Sequence, residues 1–230
     1  MNKNIIIAIV ALIVIVGGYM LIGRDTQVLP TDNPFAGTPT TTNSSTTVNV
    51  SATGSSTLEI IPLGSWSQSN VPPPPEYRRA YTFPAYFSVE AKAIVNAEIA
   101  KLIAQIDSDK TNMKAWIELG NQYNLVADYK GAELFWDYAV KLNPDNFLPY
   151  ANLGTLYMSD LKDYAKAELN LKLAIKADPT QIMVYRSLYE LYRFGLGDDV
   201  KAKAILQAGI GANSGTAQDL KYLLDHYTEQ

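Results

Sequence analysis

Apolar residues recur at helical spacing, in pairs of segments, through residues 113–214. In the first pair Trp116, Leu119, Gly120 and Tyr123 share one stripe, Ala132, Trp136 and Ala139 share another, and Pro144 ends the run. The pattern returns as Tyr150, Leu153, Gly154 and Tyr157, then Ala167, Leu171 and Ala174, then Pro179. Pro144 stands as far before Tyr150 as Pro179 stands before Tyr185, so the copies are in register; the second carries a one-residue insertion in its turn at residues 160–163. A third copy keeps Tyr185, Leu188, Tyr192, Ala202 and Leu206, but has Tyr189 where glycine stood, Gly209 where alanine stood and Ser214 in place of proline. Each copy predicts two antiparallel helices that cannot bury their stripes alone, so neighbours must stack on them. Gly120 and Gly154 mark where the second helix of a pair passes closest to the first, and the bulk of Tyr189 predicts a wider or re-angled contact in the third pair.

Both ends of this array are read as caps. After Gly215, the capping-box-like run from Thr216 to Asp219 opens a helix with Leu220, Leu223, Leu224 and Tyr227 on one face. Residues 215–230 are therefore expected to be a solvating helix that closes the stack and turns a polar face outward. On the other side, Ser88 reads as an N-cap with Glu90 in the first turn, and Ile94, Val95, Ile99, Leu102 and Ile106 form the apolar stripe of a capping helix over residues 88–112.

The stripe residues, with tryptophan or tyrosine at the fourth position, leucine and glycine at the seventh and eighth, tyrosine at the eleventh, then alanines and a closing proline, resemble the tetratricopeptide repeat (TPR). The resemblance covers residues 113–230. It implies an all-α fold: a TPR-like right-handed superhelix of antiparallel helix pairs, about three repeats plus capping helices. It also implies a non-enzymatic scaffold for protein–protein interaction, since the family lines a concave groove chiefly with the first helix of each pair. Carried onto this chain, the groove is expected to present Asn121 and Asn124 from the first copy, Asn152 and Thr155 from the second, and Arg186, Glu190 and Arg193 from the third. Asparagine both donates to and accepts from a peptide backbone, and arginine holds a carboxylate bidentately, so the set suits an extended peptide. In the chaperone-binding members of the family a C-terminal carboxylate is clamped by lysine, asparagine and arginine. Asn121 and Asn152 match two of those places, while Ile117 and Ser187 stand where basic residues belong, so that activity is not carried over.

Residues 1–87 read differently. Residues 5–22 are apolar without an internal charge, just long enough for a hydrocarbon core of about 30 Å, and Lys3 against the balanced Arg24 and Asp25 favours a cytoplasmic N-terminus. Residues 1–23 are therefore expected to be a transmembrane signal anchor that places the repeats outside the cytoplasmic membrane. The competing reading, a cleaved signal peptide, lacks an A-x-A site. Residues 24–75, rich in Ser, Thr and Pro, are expected to be a disordered linker. Residues 76–87 crowd Tyr77, Tyr81, Phe83, Tyr86 and Phe87 beside Arg78 and Arg79, and are expected to form an aromatic strap on the first helices.

Composition narrows the function. A formal net charge of −4 with 18% charged residues carries no polybasic signature, so no nucleic acid is expected as partner. Cysteine is absent, which removes disulfides, thiolate metal sites and a cysteine nucleophile. Asp107, Asp109 and Glu118 fall at calcium-loop spacing, yet Asn112 occupies the glycine place, so a helix-terminating turn is expected there and no metal or cofactor. Asp198 and Asp199 read as an N-cap pair rather than an acid–base dyad. No phosphate loop, dinucleotide fingerprint or serine elbow occurs. The expected partner is a protein or peptide bound in the groove. The alternative is a structural or assembly component of a cell-surface or secretion complex that self-associates through its repeats.

Overall fold

Short polar side chains start most of the helices. Ser88 Oγ accepts from Ala91 N (3.1 Å) to open α1 (Val89–Ser108), and Asn112 Oδ1 accepts from Ala115 N (3.1 Å) to open α2 (Met113–Leu125). Asp128, Asn146 and Asp163 do the same for α3 (Tyr129–Leu142), α4 (Phe147–Ser159) and α5 (Tyr164–Ala177). α6 (Ile182–Glu190) begins without a side-chain cap and runs into a π-helical turn, Leu191–Gly195. Asp198 caps α7 (Asp199–Ala212), as its sequence context predicts, and α8 (Gln218–Asp225) closes the chain. Each cap satisfies an amide that the first turn leaves unbonded. The computed structural model describes residues 71–227, and every regular element among them is helical.

α2 packs on α3, α4 on α5 and α6 on α7, with each pair stacked on the next. The stripes become the core: Trp116, Leu119, Tyr123, Ala132, Ala139, Leu153, Leu171, Ala174, Leu188 and Leu206 are all buried. The glycine expectation is met in the first two pairs. A Cβ on Gly120 would stand 2.4 Å from the Trp136 indole nitrogen, and one on Gly154 would stand 2.6 Å from Leu171 Cγ, both on the second helix of the same pair.

Two backbone devices recur with the repeat. Before each second helix one residue takes a left-handed conformation, Ala127 (φ 62), Lys162 (φ 56) and Gly197 (φ 64). The capping aspartate that follows donates its amide back to the tyrosine at the eleventh position: Asp128 to Tyr123 O (2.9 Å), Asp163 to Tyr157 O (2.9 Å), Asp198 to Tyr192 O (2.8 Å). At the other end of the pairs, Asp109, Asn143 and Asp178 each fold their Oδ1 over the amide two residues on. Asp109 belongs to the end of α1, so α1 terminates in register with the second helices.

The same tyrosines tie one pair to the pair before it. The Tyr157 hydroxyl donates to Glu133 on α3, and Tyr192 donates to Glu168 on α5 at 2.9 Å. Lys166 and Lys201 lie over the two rings at 4.8 and 5.4 Å. Burial and these carboxylates push both hydroxyls above the ordinary tyrosine range. Tyr123 has no preceding pair, and its hydroxyl donates instead to Arg79 O (2.8 Å) in the strap.

The strap supplies what a preceding pair would. Tyr77 packs edge-on against Trp116 (5.4 Å between centroids), and Tyr81 packs edge-on against Tyr123 (5.3 Å). Tyr77, Arg78 and Lys110 all reach Asp107, whose carboxyl they hold at about 2. Arg79 pairs with Asp128 at 3.4 Å, although its Nε is buried without a hydrogen-bond partner among the described residues. Val71 and Pro72, which the sequence assigns to the linker, already touch this body: Val71 packs on the core and Pro72 O accepts from Tyr138 (3.0 Å). The anchor expected at residues 1–23 and the linker through residue 70 lie outside the described residues, as do residues 228–230. Among the described residues no helix is long and apolar enough to cross a membrane.

Three local expectations are corrected. Ile94 is 48% exposed, because Val95, Ile99, Leu102 and Ile106 alone keep the three–four spacing and Ile94 sits a residue out of phase. Thr216 opens no capping box: α8 starts at Gln218 with no side-chain cap, because Asn213 organises the preceding turn, accepting from the Thr216 and Ala217 amides through its carbonyl. Of the closing stripe, Leu220 and Tyr227 are buried while Leu223 and Leu224 remain half-buried.

Candidate functional site

The residues expected to line the groove sit on α2, α4 and the segment formed by α6 and its π-helical turn. Asn121 and Asn152 meet there: Asn152 Nδ2 donates to Asn121 Oδ1 at 3.1 Å, and both side chains are half-buried. This bond joins consecutive first helices and leaves Asn121 Nδ2 as a donor and Asn152 Oδ1 as an acceptor with no partner among the described residues. Thr155 is exposed one turn further along α4, and its hydroxyl donates to Ala151 O (3.0 Å). Ser187 on α6 does likewise to Met183 O (3.1 Å). Both hydroxyl protons are spent within their own helices, so these side chains present only lone pairs.

The remaining residues are distributed unevenly. Asn124 Oδ1 is buried without a hydrogen-bond partner among the described residues. Arg186 Nε donates to Glu190 Oε1 at 3.1 Å, one turn apart on the exposed side of α6. Arg193 does not join them. The π-helical turn that begins at Leu191 carries it toward α7, where Nη1 bonds Asp199 Oδ1 (2.5 Å) and the guanidinium lies 4.4 Å over the Tyr227 ring. The Asp199 carboxyl, held by Arg193 and by the Tyr227 hydroxyl, is shifted below its ordinary range. Arg193 thus fastens the end of the stack, which leaves Asn121, Asn152, Thr155, Arg186 and Glu190 as the groups offered on this face.

One residue of the face escaped the sequence reading. Met183 is 55% exposed, three residues before Arg186 and seven before Glu190, so it shares their strip on α6. The spacing was visible, but an apolar residue there reads first as core. The strap leaves this face open. Among the described residues the hydrogen bonds, ion pairs, ring and cation–π contacts of the strap and of Pro72 before it reach Lys92, Asn96, Asp107, Lys110, Trp116, Tyr123, Asp128 and Tyr138, and none reaches Asn121, Asn152 or Thr155. The acidic residues at calcium-loop spacing are likewise committed: Asp107 to the strap, Asp109 to Thr111, and Glu118 beside Lys114 at 3.8 Å.

Three helix pairs, a half-repeat helix, close glycines at the eighth position and a tyrosine lock at the eleventh are now all in place. The fold is TPR-like. Among solved structures the chain is similar to the Arabidopsis OM64 TPR domain, at 20% identity over 50% of this chain and 95% of that one, with a TM-score of 0.42. It is also similar to MamA in two crystal structures, at 20% and 21% identity, covering 63% and 61% of this chain and 91% and 80% of those, with TM-scores of 0.45 and 0.46. No family model and no curated protein matches the chain. Within this TPR-like frame the Asn121–Asn152 contact lies between the ninth position of one copy and the sixth of the next.

Proposed function

We propose that the chain is a non-enzymatic interaction scaffold that binds a peptide segment or protein partner on the face formed by α2, α4 and α6. The observation that carries this reading is the Asn121–Asn152 bond, which joins two consecutive first helices through half-buried amides that keep further donors and acceptors without a partner among the described residues. Hydrogen-bonding side chains presented in a fixed array on rigid helices are what peptide recognition requires, whereas an isolated solvated face has no reason to couple them. In this reading residues 1–23 anchor the protein with its N-terminus in the cytoplasm, and the residues that follow tether the repeats outside the membrane. The test is site-specific photo-crosslinking in the full chain. A crosslinker at Thr155 should capture a discrete partner, and the same group at Asp219 on the polar closing helix should not. Equal capture at both sites would sink the proposal.

A second reading rests on a different observation. Leu161, Phe194, Leu196 and Val200 are exposed at the turns of the second and third pairs, with Phe194 at 65% and Val200 at 80%. Apolar residues so placed suit self-association in an assembly. Concentration-dependent growth in sedimentation, abolished by Val200→Ser with Phe194→Ser, would favour that reading over docking.

A further inference from the structure

We infer that the groove filled by the strap is an interface between copies of this chain: two copies exchange straps, each laying residues 71–83 into the groove of the other. The main partners of this segment are Asp107, Trp116, Tyr123, Asp128 and Tyr138, and all of them follow the turn at residues 84–87. Every copy therefore carries the whole segment on one side of the turn and the whole groove on the other. Exchange remakes each contact between copies and needs no new surface. The two sides match in charge, Arg78 and Arg79 meeting Asp107 and Asp128, and in shape, Tyr77 and Tyr81 packing edge-on against Trp116 and Tyr123. Trp116, Tyr123 and Tyr138 are buried with the segment in place, so an emptied groove would bare three large rings to water. A chain that releases its own strap thus needs a segment of the same chemistry, and a second copy carries one.

Two features make the segment separable from its own groove. Among the described residues no backbone group of residues 71–83 bonds a backbone group of the helices; the Tyr123 and Tyr138 hydroxyls reach the carbonyls of Arg79 and Pro72 instead. The segment leaves without breaking any helix. Its seat within one chain is also incomplete. Arg79 Nε is buried without a hydrogen-bond partner among the described residues, its Nη2 stands 3.4 Å from Asp128, and residues 80–82 face residues 126–128 across a cleft. The turn that holds the segment there is short and built on Pro84, whose carbonyl accepts from Phe87 N (3.1 Å). A segment arriving from another copy is not bound by that turn and can seat Arg79 more closely, and a short, constrained hinge is what favours such exchange.

The test uses the full chain, which has no cysteine of its own. Ala80 and Ala127 line opposite walls of the cleft. Chains carrying Ala80→Cys alone are mixed with chains carrying Ala127→Cys alone and mildly oxidised. Disulfide-linked pairs of one chain of each kind should form in preference to Ala80→Cys chains linked to one another, should increase with concentration, and should be lost with Asp107→Ala. Deleting Ala85 and Tyr86, both exposed, makes the turn too short for the segment to reach its own groove. That chain should sediment at the doubled mass of a dimer with the helix content of the parent, and it should remain a dimer with Phe194→Ser and Val200→Ser, which separates exchange from association through the turns. A monomeric deletion variant, whether its strap is docked or open to trypsin at Arg78 and Arg79, would overturn the inference. So would a dimer that dissociates with the two serine substitutions, or mixed chains that link no better than chance collision.

Discussion

The second and third helix pairs are built on the same positions and differ most at one of them, where Gly154 faces Tyr189. In the second pair α4 runs as an unbroken helix, and Leu171 of α5 fills the space that a side chain on Gly154 would need. In the third pair the first helix gives way after Glu190 to a π-helical turn, and Tyr189 is buried among other aromatic rings, those of Phe194 and Tyr227. The gap is instead on the second helix: a Cβ on Gly209 would stand 2.6 Å from Leu220 Cδ1 and 2.8 Å from Tyr185 Cγ. The third pair has thus exchanged a hole on its first helix for one on its second. Its tyrosine serves the closing helix, through Tyr227, and its glycine admits Leu220. A repeat that must end the stack can change which positions are small, provided that total volume is kept.

The largest effect should come from emptying that tyrosine site. Tyr189→Gly removes a fully buried ring and places glycine within a helix, and it should cost about 4 kcal/mol. If position eight demanded glycine in every copy, the same change would stabilise, and a thermal melt separates the two by sign. The reverse change in the second pair comes next. Gly154→Leu forces a side chain into Leu171, with the Leu171 backbone nitrogen only 3.2 Å from the new Cβ, so the neighbour cannot simply rotate away. It should cost about 3 kcal/mol even though leucine is the better helix former by nearly 1 kcal/mol. A variant that melts at or above the parent would break the comparison, because the close approach at Gly154 would then carry no energetic weight.

What the sequence discloses follows from what is periodic. Trp116, Leu119, Gly120 and Tyr123 are legible as a packing stripe because a helix returns every three or four residues to the same face, and burial rewards that rhythm. Ser88 and Asp198 are legible as caps because their chemistry is local. The strap resists such reading. Its decisive contacts include the carbonyls of Arg79 and Pro72, accepting from Tyr123 and Tyr138, and every residue has a carbonyl. Arg193 resists it for another reason. Continued as an α-helix it would share a face with Glu190, and the π-helical turn that sends it to Asp199 depends on how the third pair meets α8. The Asn121–Asn152 contact lies between: both residues could be named from the helix face, but their meeting depends on how α2 and α4 stack.

The smallest effect sharpens the comparison at the turns, where the two pairs use different residues for one backbone shape. Lys162 and Gly197 hold φ at 56 and 64, each just before the aspartate that caps the second helix. A side chain in this region costs roughly 1 kcal/mol through the clash of Cβ with the carbonyl, and glycine escapes that cost while gaining freedom in the unfolded chain worth about 0.5–1 kcal/mol. At Lys162 the two terms oppose, so Lys162→Gly should leave stability within roughly 0.5 kcal/mol of the parent, on the stabilising side if strain prevails. At Gly197 they separate differently, because nothing lies within 4 Å of an added Cβ and only the backbone term is left to oppose the unfolded-state gain. Gly197→Ala should therefore also change little, with a melting shift of at most roughly 2–4 °C. A larger loss would mean that the left-handed turn of the third pair carries strain which the second does not, and that the π-helical turn before it, rather than Tyr189 alone, sets the geometry of the terminal repeat.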